Sequence, residues 1–300
     1  MRSGLDKFVT DQAEGLRRLL AREGPRVIAV TGGAGSPGRT TTVVNLAAAL
    51  AEVGRRVLVI DECAGERPVA ALTGGARFDA ASREALPLAD AIERHAGGFD
   101  VLTAPHGRGV QPGDLHDGRA DVVLIDARLD AAGALSPLAL NAHDVLLVTR
   151  TDAHAITATY ACIKRLHFAH AIAQFRVLAN HVQHVADAQV VLDNLVGVAS
   201  HYLAVALERA GCVAADPHMP RAVELARPIV DAFASTAAAR DYRRLAAELP
   251  HWPLRPALAT TARLTDVPEV STATSVADAA TASAGWQTGP AAAPRATQHA

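Results

Sequence analysis

A glycine-rich loop between a strand and a helix is the feature that most constrains the fold of this chain. Residues 33–40 read Gly-Ala-Gly-Ser-Pro-Gly-Arg-Thr and follow the β-branched run 26–31 (RVIAVT). Residues 40–53 carry their apolar side chains at helical spacing, and 56–61 (RVLVID) form a second apolar run. Strand, loop, helix and strand in this order predict a parallel βαβ unit.

The loop fits the phosphate-binding pattern G-x-x-x-x-G-K-[ST] except that Arg39 replaces the lysine. Backbone N–H groups of such a loop hold phosphate oxygens, and the following helix N-terminus adds partial positive charge. We therefore expect a nucleotide here, with the Thr40 hydroxyl as a Mg²⁺ ligand. The alternative is a small-residue turn without a ligand. The predicted nucleotide-binding residues of this segment are Gly33, Ala34, Gly35, Ser36, Pro37, Gly38, Arg39, Thr40 and Thr41.

Arg39 keeps a positive charge near the expected phosphates. Its planar guanidinium is bulkier than a lysine ammonium and cannot sit as a compact charge between phosphate oxygens. Phosphoryl transfer depends on positioned charge, so we expect nucleotide binding to tolerate the arginine better than hydrolysis does.

Two apolar runs end in an aspartate. Asp126 ends the run VVLID, at the position where P-loop proteins hold Mg²⁺ through water, and Asp61 ends RVLVID. We expect Asp126 to act with Thr40 in metal binding and Asp61 to take part in catalysis. For both, the alternative is a carboxylate that caps the next turn.

The remaining sequence predicts an α/β fold with one doubly wound, mainly parallel sheet flanked by helices. Further strands are expected at 100–103, 120–126, 144–150 and 175–180, and helices at 88–95, 155–167, 186–209, 219–226 and 235–249. We expect three segments: a short N-terminal helix within 1–24, the α/β domain over 25–250, and a tail over 251–300. The tail is rich in Ala, Thr, Ser and Pro and is expected to be disordered.

Composition limits the function classes. The formal net charge of -2 over 300 residues gives no reason to expect a specific nucleic-acid partner. No apolar run approaches the ~20 residues that span a bilayer. Three distant cysteines form no zinc or disulfide pattern. These features predict a cytoplasmic protein.

Four segments resemble the MinD/ParA class of P-loop ATPases, and within it the FlhG group (FleN, YlxH) of flagellar-number regulators. Residues 11–17 (DQAEGLR) match the DQAxxLR motif of that group, which MinD and ParA lack. Residues 44–50 (VNLAAAL) and 146–161 resemble family helix and strand segments, as do 177–180 (VLAN) and 216–223 (DPHMPRAV). The resemblance therefore covers about residues 5 to 249.

The resemblance implies cofactors and partners. ATP or ADP with Mg²⁺ would be bound, Asn180 would contact adenine, and the chain would form a homodimer as its family members do. The N-terminal motif would act on an FlhF-type GTPase, with a plain amphipathic helix as the alternative. The resemblance also implies that the protein is located peripherally at the inner membrane or at the cell pole. The implied partner-binding residues are Asp11, Gln12, Ala13, Leu16 and Arg17.

The departures from this family concern charged positions. Ala34 stands where a signature lysine reaches the partner's phosphates, and Cys63 replaces an aspartate that helps to position the attacking water. With Arg39, these changes predict weak or absent ATP hydrolysis. Beyond residue 249 no amphipathic stripe follows, so membrane association is not supported. Three alternatives stay open: an active ATP-dependent dimerisation switch, a ParA-like partition protein, and a scaffold without nucleotide.

Overall fold

In the computed structural model, the described residues are 24–33, 38–63, 69–74, 88–116 and 118–253. The motif at 11–17, the loop residues Ala34, Gly35, Ser36 and Pro37, and the tail from residue 254 lie outside these ranges. The expectations for the N-terminal helix and the tail therefore remain predictions.

The described residues form one eight-stranded sheet with the strand order β3-β4-β2-β5-β1-β6-β7-β8. Its strands are β1 (Arg26–Thr31), β2 (Val57–Asp61), β3 (Glu93–Arg94), β4 (Asp100–Thr103), β5 (Val122–Asp126), β6 (Asp144–Thr149), β7 (Gln174–Val182) and β8 (Ala206–Ala214). All neighbours pair in parallel except β3, which is antiparallel to β4. The predicted α/β class with a mainly parallel sheet is confirmed.

Helices cover both faces of this sheet. They are α1 (Arg39–Glu52), α2 (Val69–Thr73), α3 (Leu88–Ala91), α4 (Ala153–His170), α5 (Val185–Leu203), α6 (Met219–Glu224), α7 (Ile229–Ala232) and α8 (Ala237–Glu248). Side chains of α1 and α8 pack on one face and those of α4 and α5 on the other, as two separate apolar clusters. Alternate residues of β1 enter each cluster, which explains why the four residues 27–30 are all apolar. No described helix combines the length and apolarity needed to cross a membrane.

Two of the expected helices are wrong at their C-terminal ends. The helix expected over 186–209 ends at Leu203, where Ala204 takes a left-handed backbone (φ 53°), and β8 follows. The helix expected over 88–95 ends at Ala91, and residues 93–94 pair with β4 instead. In both cases strand pairing outweighs the helical preference of Ala, Glu and Arg.

A buried cluster of charged side chains joins the edge of the sheet at which the parallel strands begin to the last described residues of the chain. Asp144 Oδ2 accepts hydrogen bonds from Arg26 Nη2 (2.6 Å) and Nε (3.1 Å), and Oδ1 accepts one from Arg176 Nε (3.0 Å). Arg26 Nη1 also donates to the carbonyl oxygen of Trp252 (2.8 Å). The Arg176 guanidinium lies 4.2 Å from the Trp252 ring centroid, within cation–π range. Because Asp144, Arg26 and Arg176 lie near the starts of three neighbouring strands, the cluster ties β1, β6 and β7 to residues 249–253.

Candidate functional site

The candidate site lies where the carboxyl ends of β1, β2 and β5 meet the start of α1. Asp61 and Asp126 are register partners on neighbouring strands, and Val30 of β1 pairs with Asp126 on its other side. A cavity of about 820 Å³ opens beside them, a size that suits a small-molecule ligand. The residues lining it are Gly32, Gly33, Gly38, Arg39, Thr40, Thr41, Cys63, Ala71, Leu72, Arg128, Leu129, Asp130, Gly133, Arg165 and Val223.

Several predicted residues therefore share one cavity. Gly33, Gly38, Arg39, Thr40 and Thr41 line it, and α1 points its N-terminus at the same space. A helix N-terminus of this length favours an anion. Two of the lining residues, Arg128 and Arg165, were not predicted from the sequence. Only the position of Arg128, two residues after Asp126, could have indicated its place.

Asp126 is bonded on both carboxylate oxygens. Arg39 Nε donates to Oδ1 at 2.5 Å, and the Thr40 hydroxyl donates to Oδ2 at 2.7 Å. The Asp126 side chain is fully buried, whereas 20% of the Arg39 side chain is exposed. Thr40 and Asp126 thus lie within hydrogen-bond distance, and their role in metal binding stays a prediction. The contact between Asp126 and Arg39 was not foreseen.

Neighbouring groups keep the guanidinium of Arg39 protonated. Burial of the guanidinium lowers its pKa, but the nearby Asp126 carboxylate and Cys63 raise it, and the pKa ends above its ordinary value. Arg39 therefore holds a permanent positive charge in the wall of the cavity.

Cys63 occupies the position where the family resemblance places a second carboxylate. Its sulfur accepts a hydrogen bond from Arg39 Nη2 at 2.6 Å. Burial, reinforced by the charge of Asp126, raises the pKa of the thiol to about 12. The thiol is neutral at physiological pH, so Cys63 does not restore the negative charge of the missing aspartate.

Asp61 makes the contacts of a turn-capping carboxylate. Oδ1 accepts from the Cys63 N–H (2.9 Å), and Oδ2 accepts from the Val69 N–H (2.7 Å). Burial and the nearby Asp126 raise its pKa to about 6. These contacts match the alternative that the sequence left open, and the catalytic role of Asp61 stays a prediction.

Glu62 follows the last residue of β2 and is not among the residues that line the cavity. Its Oε1 accepts a hydrogen bond from the Ser136 hydroxyl (2.5 Å), and Oε2 accepts one from the Arg128 N–H (3.3 Å). Burial raises the pKa of this fully buried carboxyl group to about 7. Glu62 therefore cannot replace the carboxylate missing at Cys63.

Asn180 lies at the carboxyl end of β7 against Gly38. Its Oδ1 accepts from the His181 N–H (2.9 Å), and its Nδ2 would lie 2.0 Å from a Cβ atom built on Gly38. Asn180 is not among the residues that line the cavity. The adenine contact implied for it stays a prediction.

Gly38 begins α1 with a left-handed backbone (φ 98°), which favours glycine. We expect Gly38→Ala to destabilise the protein by about 2 kcal/mol, because it combines a strained backbone with a clash against Asn180. Gly54 is a matched control, since it also has a positive φ (80°) but nothing within 4 Å of a built Cβ. Chemical denaturation should show a clearly larger loss for Gly38→Ala than for Gly54→Ala. Equal losses would mean that the Asn180 contact imposes no constraint.

Comparison with known proteins gives the family. The CobQ/CobB/MinD/ParA nucleotide binding domain matches residues 28–236. The curated antiactivator FleN of Pseudomonas aeruginosa PAO1 is 31% identical over 253 residues, which cover 76% of this chain and 88% of FleN.

Solved structures agree at the level of the fold. A chain of the MinC:MinD cell division protein complex from Aquifex aeolicus superposes with a TM-score of 0.61 at 20% identity, covering 76% of this chain and 97% of that one. MinD from Pyrococcus horikoshii OT3, solved with Mg-ADP, gives 0.58 at 20% identity, covering 75% and 96%. The matched domain and the likeness to FleN place this chain in the MinD/ParA family of nucleotide-binding proteins, as the sequence resemblance predicted.

Proposed function

We propose that this protein is an FlhG-like regulator of flagellar number or placement. It binds ATP or ADP in the cavity beside α1 and acts on an FlhF-type GTPase through residues 11–17. The observation that carries this proposal is the 31% identity to an antiactivator, FleN, across 88% of its length. The motif DQAEGLR supports the GTPase as the target.

Nucleotide binding is supported by the cavity at the N-terminus of α1. Its lining includes Arg39, which is paired with Asp126, and the two further arginines Arg128 and Arg165, against one lining carboxylate at Asp130. This balance favours a phosphorylated ligand. Slow hydrolysis is part of the proposal, because Arg39 is bonded to Asp126 and the neutral Cys63 replaces a carboxylate.

The partner interaction can be tested in the full chain. We expect the wild-type protein to stimulate GTP hydrolysis by the FlhF-type GTPase of the same organism. In the double variant Gln12→Ala/Arg17→Ala this stimulation should be at least about tenfold weaker. Arg22→Ala lies outside the motif and is the matched control. Deletion of residues 1–24 should abolish stimulation completely. Full stimulation by the deletion variant would overturn the proposed mechanism.

The nucleotide part has its own measurement. Calorimetric titration with ATP and with ADP, with size-exclusion chromatography in parallel, separates the proposed regulator from a nucleotide-free scaffold and from an ATP-dependent dimer. We expect saturable binding with little turnover. Rapid ATP hydrolysis coupled to dimerisation would instead support an active switch.

A further inference from the structure

We propose that the Arg39 guanidinium takes the place of the metal cation beside Asp126, so that this protein binds nucleotide without requiring Mg²⁺. The inference rests on the proposed nucleotide binding and specifies the form of the ligand that the site accepts: a nucleoside di- or triphosphate that is not complexed with a metal.

The oxygen atoms expected to serve Mg²⁺ are already engaged. In P-loop proteins the threonine hydroxyl and the strand-end aspartate hold a hydrated Mg²⁺ in octahedral geometry. Asp126 Oδ2 accepts from the Thr40 hydroxyl (2.7 Å), which is compatible with that arrangement. Asp126 Oδ1, however, accepts from Arg39 Nε (2.5 Å), so a charged protein donor already engages the oxygen that Thr40 leaves available. The residues present therefore fit a guanidinium better than a hydrated metal ion.

The neighbouring groups Asp61 and Cys63 bring possible ligand atoms within 4.8 Å of Asp126, but they suit Mg²⁺ poorly. Both oxygens of Asp61 accept backbone N–H groups, from Cys63 and Val69. Cys63 is a soft sulfur donor that Mg²⁺ does not favour, and its sulfur is 2.6 Å from Arg39 Nη2. A divalent cation at this corner would meet the positive charge of Arg39 at contact distance.

The charge balance also favours the arginine. Asp126 contributes one negative charge in a fully buried position, and Arg39 neutralises it through a direct ion pair. Removing the guanidinium from this carboxylate would leave a buried charge without its partner, which is costly. The ion pair is therefore expected to persist when a ligand enters.

Arg39 is nevertheless accessible to that ligand. Its side chain is 20% exposed and lines the cavity, together with Arg128 and Arg165. The guanidinium can thus hold Asp126 with Nε while it remains in the wall that phosphate groups approach. Arg128 and Arg165, beside the guanidinium that is paired with Asp126, would then neutralise the nucleotide in place of a metal ion.

The test is a calorimetric titration of the full-length protein with ADP and with ATP, once in excess Mg²⁺ and once in EDTA. We expect the two dissociation constants of the wild type to differ by less than about threefold. Arg39→Ala frees Asp126 Oδ1 and should make affinity fall by at least about tenfold when Mg²⁺ is removed. Arg209→Ala is the matched control, because Arg209 is paired with Asp193 and does not line the cavity.

A second measurement does not depend on nucleotide. Paramagnetic resonance with Mn²⁺ as the probe should detect no bound ion in the wild type and a bound ion in Arg39→Ala, whose fold is checked by its unfolding curve. Wild-type nucleotide binding that disappears in EDTA would overturn the inference while leaving the proposed nucleotide binding intact. Absence of binding in both buffers would instead overturn the proposed nucleotide binding, and the inference with it.

Discussion

Replacing Asp144 by alanine is expected to destabilise the protein by about 3–5 kcal/mol. The Asp144 side chain is fully buried and is bonded to Arg26 and Arg176, whose side chains are 1% and 4% exposed. Alanine would leave two buried guanidinium groups without the carboxylate that lies between them. Arg176 would keep its ion pair with Glu208, so the greater loss falls on Arg26. Urea or guanidinium denaturation followed by circular dichroism measures the effect.

Asp193→Ala is the matched control for this variant. Asp193 is also bonded to an arginine, Arg209, at 2.7 Å, but both side chains are more than half exposed. Removal of an exposed pair costs at most about 1 kcal/mol. If Asp144→Ala costs no more than Asp193→Ala, the buried cluster does not hold residues 249–253 to the sheet. Tryptophan fluorescence in a Trp286→Phe background offers a local readout, because the remaining ring, Trp252, stacks on Arg176.

The sheet was largely predictable because its central strands are buried on both faces. The short β-branched apolar run of β1 favours a strand over a helix, and the same holds for β5 and β6. β8 was missed for a physical reason: it is an edge strand, and its sequence ALERAGCVA favours helix. Its strand conformation depends on pairing with β7, which local sequence does not report.

The candidate site was predictable in its positions but not in its contacts. Parallel strands end at one edge of a sheet, so Asp126 and Thr40 could be placed together from the pattern alone. The direction of the Arg39 side chain depends on packing and could not. The same applies to Ser136, which reaches Glu62 across 74 positions of sequence. Asp144 and Arg26 could be assigned to strand starts, but their shared burial depends on the strand order.

The stability of the protein is expected to depend on pH through Glu62. Its pKa is raised from the ordinary 4.5 to about 7 by burial, so the folded state binds a proton more tightly than the unfolded state. The resulting stabilisation is complete below pH 4.5 and is lost as the pH rises through 7. Over the whole window it amounts to about 3 kcal/mol, of which roughly 1 kcal/mol is lost between pH 6 and 8.

Glu62→Gln should remove this dependence, because the amide has nearly the shape of the protonated acid and does not ionise. We expect the free energy of unfolding of the wild type to decrease from pH 6 to 8 relative to that of the variant, measured by denaturation at each pH. Asp61, with a pKa of about 6, contributes with the same sign mainly at lower pH. Burial lowers the pKa of His143, which acts in the opposite direction, but the histidine is present in both proteins and cancels in the difference.

A second variant identifies the carboxyl group responsible. The Ser136 hydroxyl donates to Glu62 and lowers its pKa, in opposition to the larger effect of burial. Ser136→Ala should therefore raise that pKa further and move the loss of stability to higher pH, whereas Glu62→Gln eliminates it. Parallel pH profiles for the wild type and Glu62→Gln would mean that Glu62 titrates with an ordinary pKa. Glu62 also accepts a hydrogen bond from the backbone N–H of Arg128, a residue that lines the cavity. Protonation of Glu62 therefore affects a hydrogen bond made by the wall of the candidate site.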